Sequence, residues 1–151
     1  MRLTASLLVT FLLTSGLGLA ASAEKGWMTD FEAARKKAAE LERPILVDFT
    51  GSDWCGWCIK LDREVFSKKA FQTYADKNLV LFVADFPRSK KQSDEVKEQN
   101  QALAEKYRIQ GFPTILLVDE DGKVLARTGY RPGGADAYVD HIGSLLENGK
   151  S

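Results

Sequence analysis

Helical and strand-like patterns of apolar residues alternate along the chain beyond residue 24. Residues 24–43 have apolar side chains at helical spacing, with a capping box from Thr29 to Glu32 and an end at Pro44. The next run, residues 45–49, is short, apolar and partly β-branched, which predicts a buried strand.

The rest of the pattern predicts three further helices and three further strands. A helix runs from Cys55 to about Tyr74 and breaks near Ser67, which can cap its second part. The remaining predicted elements are a strand at 79–84, a short helix at 101–108, strands at 114–118 and 123–128, and a closing helix at 135–147. This order indicates an α/β fold, a mixed sheet flanked by helices, with an antiparallel hairpin at one end.

One segment of this pattern is strongly polar. Residues 87–100 are dominated by charged and amide side chains and contain one valine. We interpret them as a solvated insertion or an exposed helical extension, with a docking role as the less favoured alternative.

The first 23 residues differ from the rest of the chain. Arg2 is their only charged residue, residues 7–20 are largely apolar, and Ala21-Ser22-Ala23 ends the segment. This pattern predicts a signal peptide (1–23) that is cleaved after Ala23, a periplasmic or secreted protein, and one domain over 24–151. An uncleaved membrane anchor is the alternative, but polar residues interrupt a stretch that is short for a span of ~20 apolar residues.

The charge balance narrows the classes of partner. Basic and acidic residues number 21 each in a chain of 151 residues. No overall field therefore favours nucleic acid or an anionic membrane. The length suits a domain with a real core, and no segment suggests dimerisation, so we expect a monomer.

The two cysteines carry the candidate chemistry. Cys55 and Cys58 open a predicted helix just after a strand and a turn. In an exported protein a disulfide persists, but a bridge over so short a loop stabilises little, which favours a redox role. A thiolate at a helix start is stabilised by backbone N–H groups, which can lower its pKa from about 8.5 to roughly 3.5–7.5. Cys55 is therefore the predicted nucleophile, and Cys58 the resolving thiol.

The sequence resembles the thioredoxin family over nearly all of residues 28–148. The matching runs are Val47-Asp48-Phe49, Trp54-Cys55-Gly56-Trp57-Cys58, Gly111-Phe112-Pro113-Thr114 and the turn at Asp121-Gly122. The resemblance implies a thioredoxin-like fold and dithiol–disulfide exchange that needs no cofactor. It also implies a cis bond between Phe112 and Pro113, which offers backbone groups to a substrate strand. Finally, it implies that Asp48 is a buried acid that accepts a proton as Cys58 attacks.

The chain also departs from the family pattern. Gly56-Trp57 stands where thioredoxins usually have Gly-Pro, and the turn before Trp54 is one residue longer. We expect Trp54 and Trp57 to shape a substrate surface. For Asp48, a purely structural role is the equal alternative.

The function predicted from these residues is thiol–disulfide exchange outside the cytoplasm, with a preference for reduction. The substrates would be protein or peptide disulfides, and a membrane thiol-transfer protein would supply electrons. Zinc is not expected, because two cysteines and His141 fall short of the four ligands of a structural site. The alternatives are Cu(I) handling by the two thiolates and a redox-silent binding module.

Overall fold

Five strands form one mixed sheet in the order β1-β3-β2-β4-β5 in the computed structural model, which describes residues 26–149. The strands are β1 Trp27–Met28, β2 Ile45–Thr50, β3 Val80–Asp85, β4 Thr114–Val118 and β5 Val124–Thr128. Strands β1 and β2 pair parallel with β3, whereas β4 pairs antiparallel with β2 and β5. The predicted mixed sheet with a terminal hairpin is confirmed.

Within the described residues, five α-helices cover the two faces of this sheet. They are α1 Phe31–Leu41, α2 Gly56–Leu61, α3 Lys69–Asn78, α4 Asp94–Lys106 and α5 Gly134–Asn148, and a π-helical segment, Asp62–Phe66, follows α2 directly. Successive residues of β2 point to opposite faces. Val47 joins the core under α1 and α4, and Leu46 joins the core under α2, α3 and α5.

The prediction that one helix fills residues 24–43 is wrong at its beginning. Trp27–Met28 is an edge strand that pairs with Leu81 and Phe82 of β3. The Trp27 ring packs against Phe66 with 5.1 Å between ring centroids, so a tertiary contact outweighs the helical pattern. The cap also differs: Asp30, rather than Thr29, accepts the Ala33 N–H at 3.0 Å.

The predicted break near Ser67 is confirmed, but the capping role of Ser67 is wrong. At the end of the π-helical segment, the Ser67 N–H donates to the carbonyl of Asp62, five residues earlier, at 2.9 Å. The Ser67 hydroxyl donates to the Arg63 carbonyl at 3.2 Å, so it cannot serve α3. Lys68 stands at the N-cap without a side-chain bond.

The polar segment divides into a connection and a helix. Ser93 accepts the Val96 N–H at 3.3 Å and begins α4, which continues without a break to Lys106. An exposed helical extension is therefore confirmed, whereas a separate helix starting at residue 101 is wrong. Asn100 is 1% exposed and donates to the Asp85 carbonyl at 3.0 Å, which attaches this helix to β3.

The predicted signal peptide, residues 1–23, and its cleavage after Ala23 lie outside the described residues. Within residues 26–149, every helix is too short or too polar to cross a membrane.

Candidate active site

A disulfide joins Cys55 and Cys58 at the beginning of α2. Cys55 is the N-cap residue, and its sulfur accepts the Cys58 N–H at 3.3 Å. The first turn of a helix has N–H groups without helical partners, so this is where a thiolate is stabilised after reduction. Cys55 is 7% exposed and Cys58 4%, so both are nearly covered.

The turn before the cysteines is built around Gly51. Its carbonyl accepts the Trp54 and Cys55 N–H groups at 3.2 and 2.8 Å. A Cβ atom at position 51 would lie 2.5 Å from the Trp54 ring, so only glycine lets the indole cross the turn. The position of Trp54 thus depends on the small residue three places earlier.

One aromatic wall of the site is built on Trp54. Its indole N–H donates to the Phe86 carbonyl at 2.8 Å, and its ring meets Phe112 edge-on at 6.0 Å. Phe112 stacks on Phe86 at 5.1 Å, and the Phe112–Pro113 bond is cis, as expected. The guanidinium of Arg88 lies 3.9 Å from the centroid of the Trp54 ring.

A second wall is built on Trp57, the residue between the cysteines. Trp57 is 58% exposed and packs against Tyr130 at 5.1 Å. The Lys60 ammonium lies over both rings, 5.1 and 5.2 Å from their centroids. Glu64 accepts the Tyr130 hydroxyl at 2.7 Å and lies 4.0 Å from Lys60. Lys60 thus contacts the aromatic side chains of the site.

A carboxylate clamp holds the active-site turn, residues 51–54, to the segment after β3. Asp53 accepts the backbone N–H groups of Arg88, Ser89 and Lys90 at 2.9, 2.7 and 3.0 Å. Hydrogen bonds from Arg88 and then Ser89 favour the ionised carboxylate, which lowers the pKa of Asp53.

Asp85 adds a second link to the same turn. Its two carboxylate oxygens accept the Ser52 N–H at 2.9 Å and the Ser52 hydroxyl at 2.6 Å. The turn before Trp54 is therefore fixed by residues more than thirty positions away.

Asp48 lies in the middle of β2 and is 8% exposed. It shares the sheet face of Leu46, which is the face covered by α2 and α5. Burial, and then the negative charge of Asp48, raise the pKa of the Tyr138 hydroxyl, which donates to the Gly129 carbonyl at 3.0 Å. The structure thus places Asp48 in the same layer as the helix that carries Cys58.

Phe86, Asp53 and Tyr130 are among the contributors to the site that were missed at the sequence level. Phe86 could have been found, because it directly follows β3, whose carboxyl end lies beside that of the parallel strand β2. Asp53 and Tyr130 carry no local signal, since their partners lie 35 and 66 positions away.

Within residues 26–149, no three or more His, Cys, Asp or Glu side chains cluster closely enough to hold a metal ion.

The family model for a thioredoxin-like domain matches residues 31–141. The chain belongs to this family, and the predicted thioredoxin-like fold is confirmed.

Individual relatives make the chemistry more specific. The chain is 38% identical over 127 residues to the disulfide bond reductase DsbH of Chlamydia pneumoniae, covering 84% of this chain and 76% of that protein. It is 31% identical over 103 residues to the thioredoxin-related protein DsbJ of the same organism, covering 68% of this chain but only 30% of DsbJ. The solved structure of a DsbH oxidoreductase superposes with a TM-score of 0.77 at 35% identity, covering 88% of this chain and 95% of that chain. With its Cys55–Cys58 pair, this chain is a thiol–disulfide oxidoreductase.

Proposed function

We propose that this protein reduces disulfides of exported proteins or peptides, in the periplasm or an equivalent compartment. The observation that carries the proposal is the Cys55 sulfur at the N-cap of α2, where it accepts a backbone N–H. The reducing direction is supported by DsbH, a relative that is named a disulfide bond reductase and of which this chain covers 76%. The pattern of residues 1–23 supports the compartment.

The reaction transfers two electrons from the dithiol to the substrate. The Cys55 thiolate attacks one substrate sulfur, which forms a mixed disulfide and releases the other substrate sulfur as a thiolate that takes up a proton. Cys58 then loses its proton and attacks the Cys55 sulfur. The second substrate thiol leaves, and the Cys55–Cys58 disulfide remains.

We assign to Asp48 the role of the base that accepts the proton from Cys58 in this second step. Support comes from its burial and from its place on the sheet face covered by α2. In Asp48→Asn, we expect the resolving step to slow by about 10²-fold, the size typical of general base catalysis. If this variant changed the free energy of unfolding but left the rate and its pH profile unaltered, Asp48 would be purely structural.

The substrate surface is assigned to Trp54, Trp57, Phe112 and Pro113. The exposed face of Trp57 and the contact between Trp54 and Phe112 support this assignment, because they form two apolar walls beside nearly covered cysteines. A monomer is sufficient for this chemistry. After each turnover the disulfide must be reduced again, and a membrane thiol-transfer protein is the proposed donor.

The deciding experiment has two readouts. Equilibration with glutathione gives the reduction potential of the dithiol, which we expect near the thioredoxin value of about −270 mV. Insulin reduction with a chemical thiol as donor should be faster with the protein than without it, and Cys55→Ser should abolish the gain. Cys58→Ser should accumulate the mixed disulfide. A potential near −120 mV, as in strong oxidants, would overturn the proposed direction.

A further inference from the structure

The side chain of Arg88 packs on the residue that precedes Cys55. Its guanidinium lies 3.9 Å from the centroid of the Trp54 ring, and Trp54 directly precedes Cys55. Its backbone N–H donates to Asp53 at 2.9 Å, so the segment that carries it is attached to the active-site turn. Arg88 is nevertheless exposed, so the N–H donors along the edge of its guanidinium are accessible to a ligand.

Neighbouring cations of the site already have polar partners. Lys90 donates to the Ser52 hydroxyl at 3.1 Å, and Lys60 lies 4.0 Å from Glu64. Within the part of the chain that the structure describes, by contrast, no carboxylate forms a salt bridge with Arg88. The nearby Asp53 carboxylate is used by three backbone N–H groups.

We propose that Arg88 is a specificity-determining residue that binds a substrate carboxylate next to the disulfide under attack. The planar guanidinium can keep its stacking on the indole while its edge forms paired hydrogen bonds to a carboxylate. The preferred substrates are then disulfides flanked by Asp or Glu. This inference rests on exchange through Cys55 and deepens the proposed function by naming a substrate class.

The test uses three peptide disulfides that differ only in the residue beside the cysteine: Glu, Gln or Lys. Exchange with the protein is measured in single turnovers, in both directions, by tryptophan fluorescence. We expect the Glu peptide to react about two- to fivefold faster than the Gln peptide, the scale of an exposed ion pair, and the Lys peptide to react more slowly. Raising the salt concentration to about 0.5 M should reduce the ratio, because exposed charges are screened.

The variants show whether the rate ratio of the Glu and Gln peptides depends on a local contact with Arg88 or on the general charge of the surface. In Arg88→Gln the Glu-to-Gln ratio should fall to about one, and Arg88→Lys should retain part of it, because the charge remains and the planar fork is lost. Lys91→Gln, which removes one charge from the same segment, is the matched control and should keep the wild-type ratio.

Three outcomes would overturn the inference: equal rates with all three peptides, an unchanged ratio in Arg88→Gln, or an equal loss of the ratio in Lys91→Gln. Near-ultraviolet circular dichroism, which reports on all three tryptophans together, shows whether each variant keeps the aromatic packing of the wild type. The rate ratio is measured in both directions, so it decides the role of Arg88 even where the potential contradicts reduction.

Discussion

At the scale of single residues, the site depends on Gly51, which has no Cβ and so leaves free the space that the Trp54 indole occupies. Gly143, in α5, by contrast has room for a side chain, because a Cβ there would meet only the Tyr74 hydroxyl at 3.9 Å. These two positions therefore form a matched pair for testing the turn.

We predict that Gly51→Ala lowers the free energy of unfolding by about 1–3 kcal/mol, because the new methyl group forces the indole or the turn to move. Gly143→Ala should raise it by up to about 1 kcal/mol, because alanine is the better helix former. Urea unfolding of the oxidised proteins measures both. Equal stability of Gly51→Ala and wild type would show that the turn adapts freely.

A second residue-scale prediction concerns Tyr138. Burial, and then the charge of Asp48, raise its pKa in the folded protein, so its stabilising effect is complete below about pH 10 and is lost as the pH rises above that value. At pH 7, Tyr138→Phe should cost about 1 kcal/mol, the net value of its bond to the Gly129 carbonyl.

The pH dependence is the sharper part of this test. Above about pH 10, unfolded wild type releases the tyrosine proton and unfolded Tyr138→Phe has none to release, so the difference in stability should narrow. A difference that stays constant between about pH 8 and pH 11 would contradict the raised pKa.

At the scale of elements, the connection between β3 and α4 is part of the site rather than a free loop. Asp53 binds three successive N–H groups of this connection, and the Phe86 carbonyl just before them accepts the Trp54 indole N–H. Trypsin offers a direct probe, because Arg88, Lys90 and Lys91 are cleavage sites within it.

We predict that Asp53→Ala increases the rate of tryptic cleavage after residues 88–91 several-fold at neutral pH, because a protease needs this backbone free and extended. Asp121→Ala removes an exposed acid elsewhere and should leave the rate unchanged. The pKa of Asp53 is lowered, so its clamp is complete above about pH 3.9 and is lost as the pH falls through the lowered value. Equal cleavage of Asp53→Ala and wild type would show that other bonds hold the segment.

At the scale of the whole molecule, the redox state should change stability only slightly. The disulfide spans a sequence separation of three, and both sheet faces carry extensive apolar cores that do not need it. A loop this short limits the effect of the crosslink on chain entropy to about 2 kcal/mol.

We therefore predict that reduction lowers the free energy of unfolding by no more than about 2 kcal/mol and leaves the protein folded. Urea unfolding with and without a reducing agent measures the difference, and the double variant Cys55→Ser/Cys58→Ser should unfold identically in both. A reduced form more stable than the oxidised form would mark the dithiol as an oxidant and contradict the proposed reductase.

Local signals were sufficient for the elements that depend on neighbouring residues. We could locate the apolar runs of β2, β3 and β4 and the turn near Gly122, because buried strands and hairpin turns have characteristic patterns of adjacent residues. The cysteine pair at a helix start and the cis bond before Pro113 were equally recognisable, through spacing and through resemblance to a family.

Contacts between distant residues were decided only by the tertiary structure. Trp27 lies in a strand because it pairs with β3 and its ring packs against Phe66. Helix α4 extends through a polar segment because the Asn100 side chain donates a hydrogen bond to the carbonyl of Asp85. The Asp53 clamp and the contact of Trp57 with Tyr130 join positions far apart in the chain. The sequence alone therefore determined the reacting sulfurs, whose chemistry is local. The tertiary structure determined the surroundings of these sulfurs, because no pattern of neighbouring residues predicts which distant side chains come into contact.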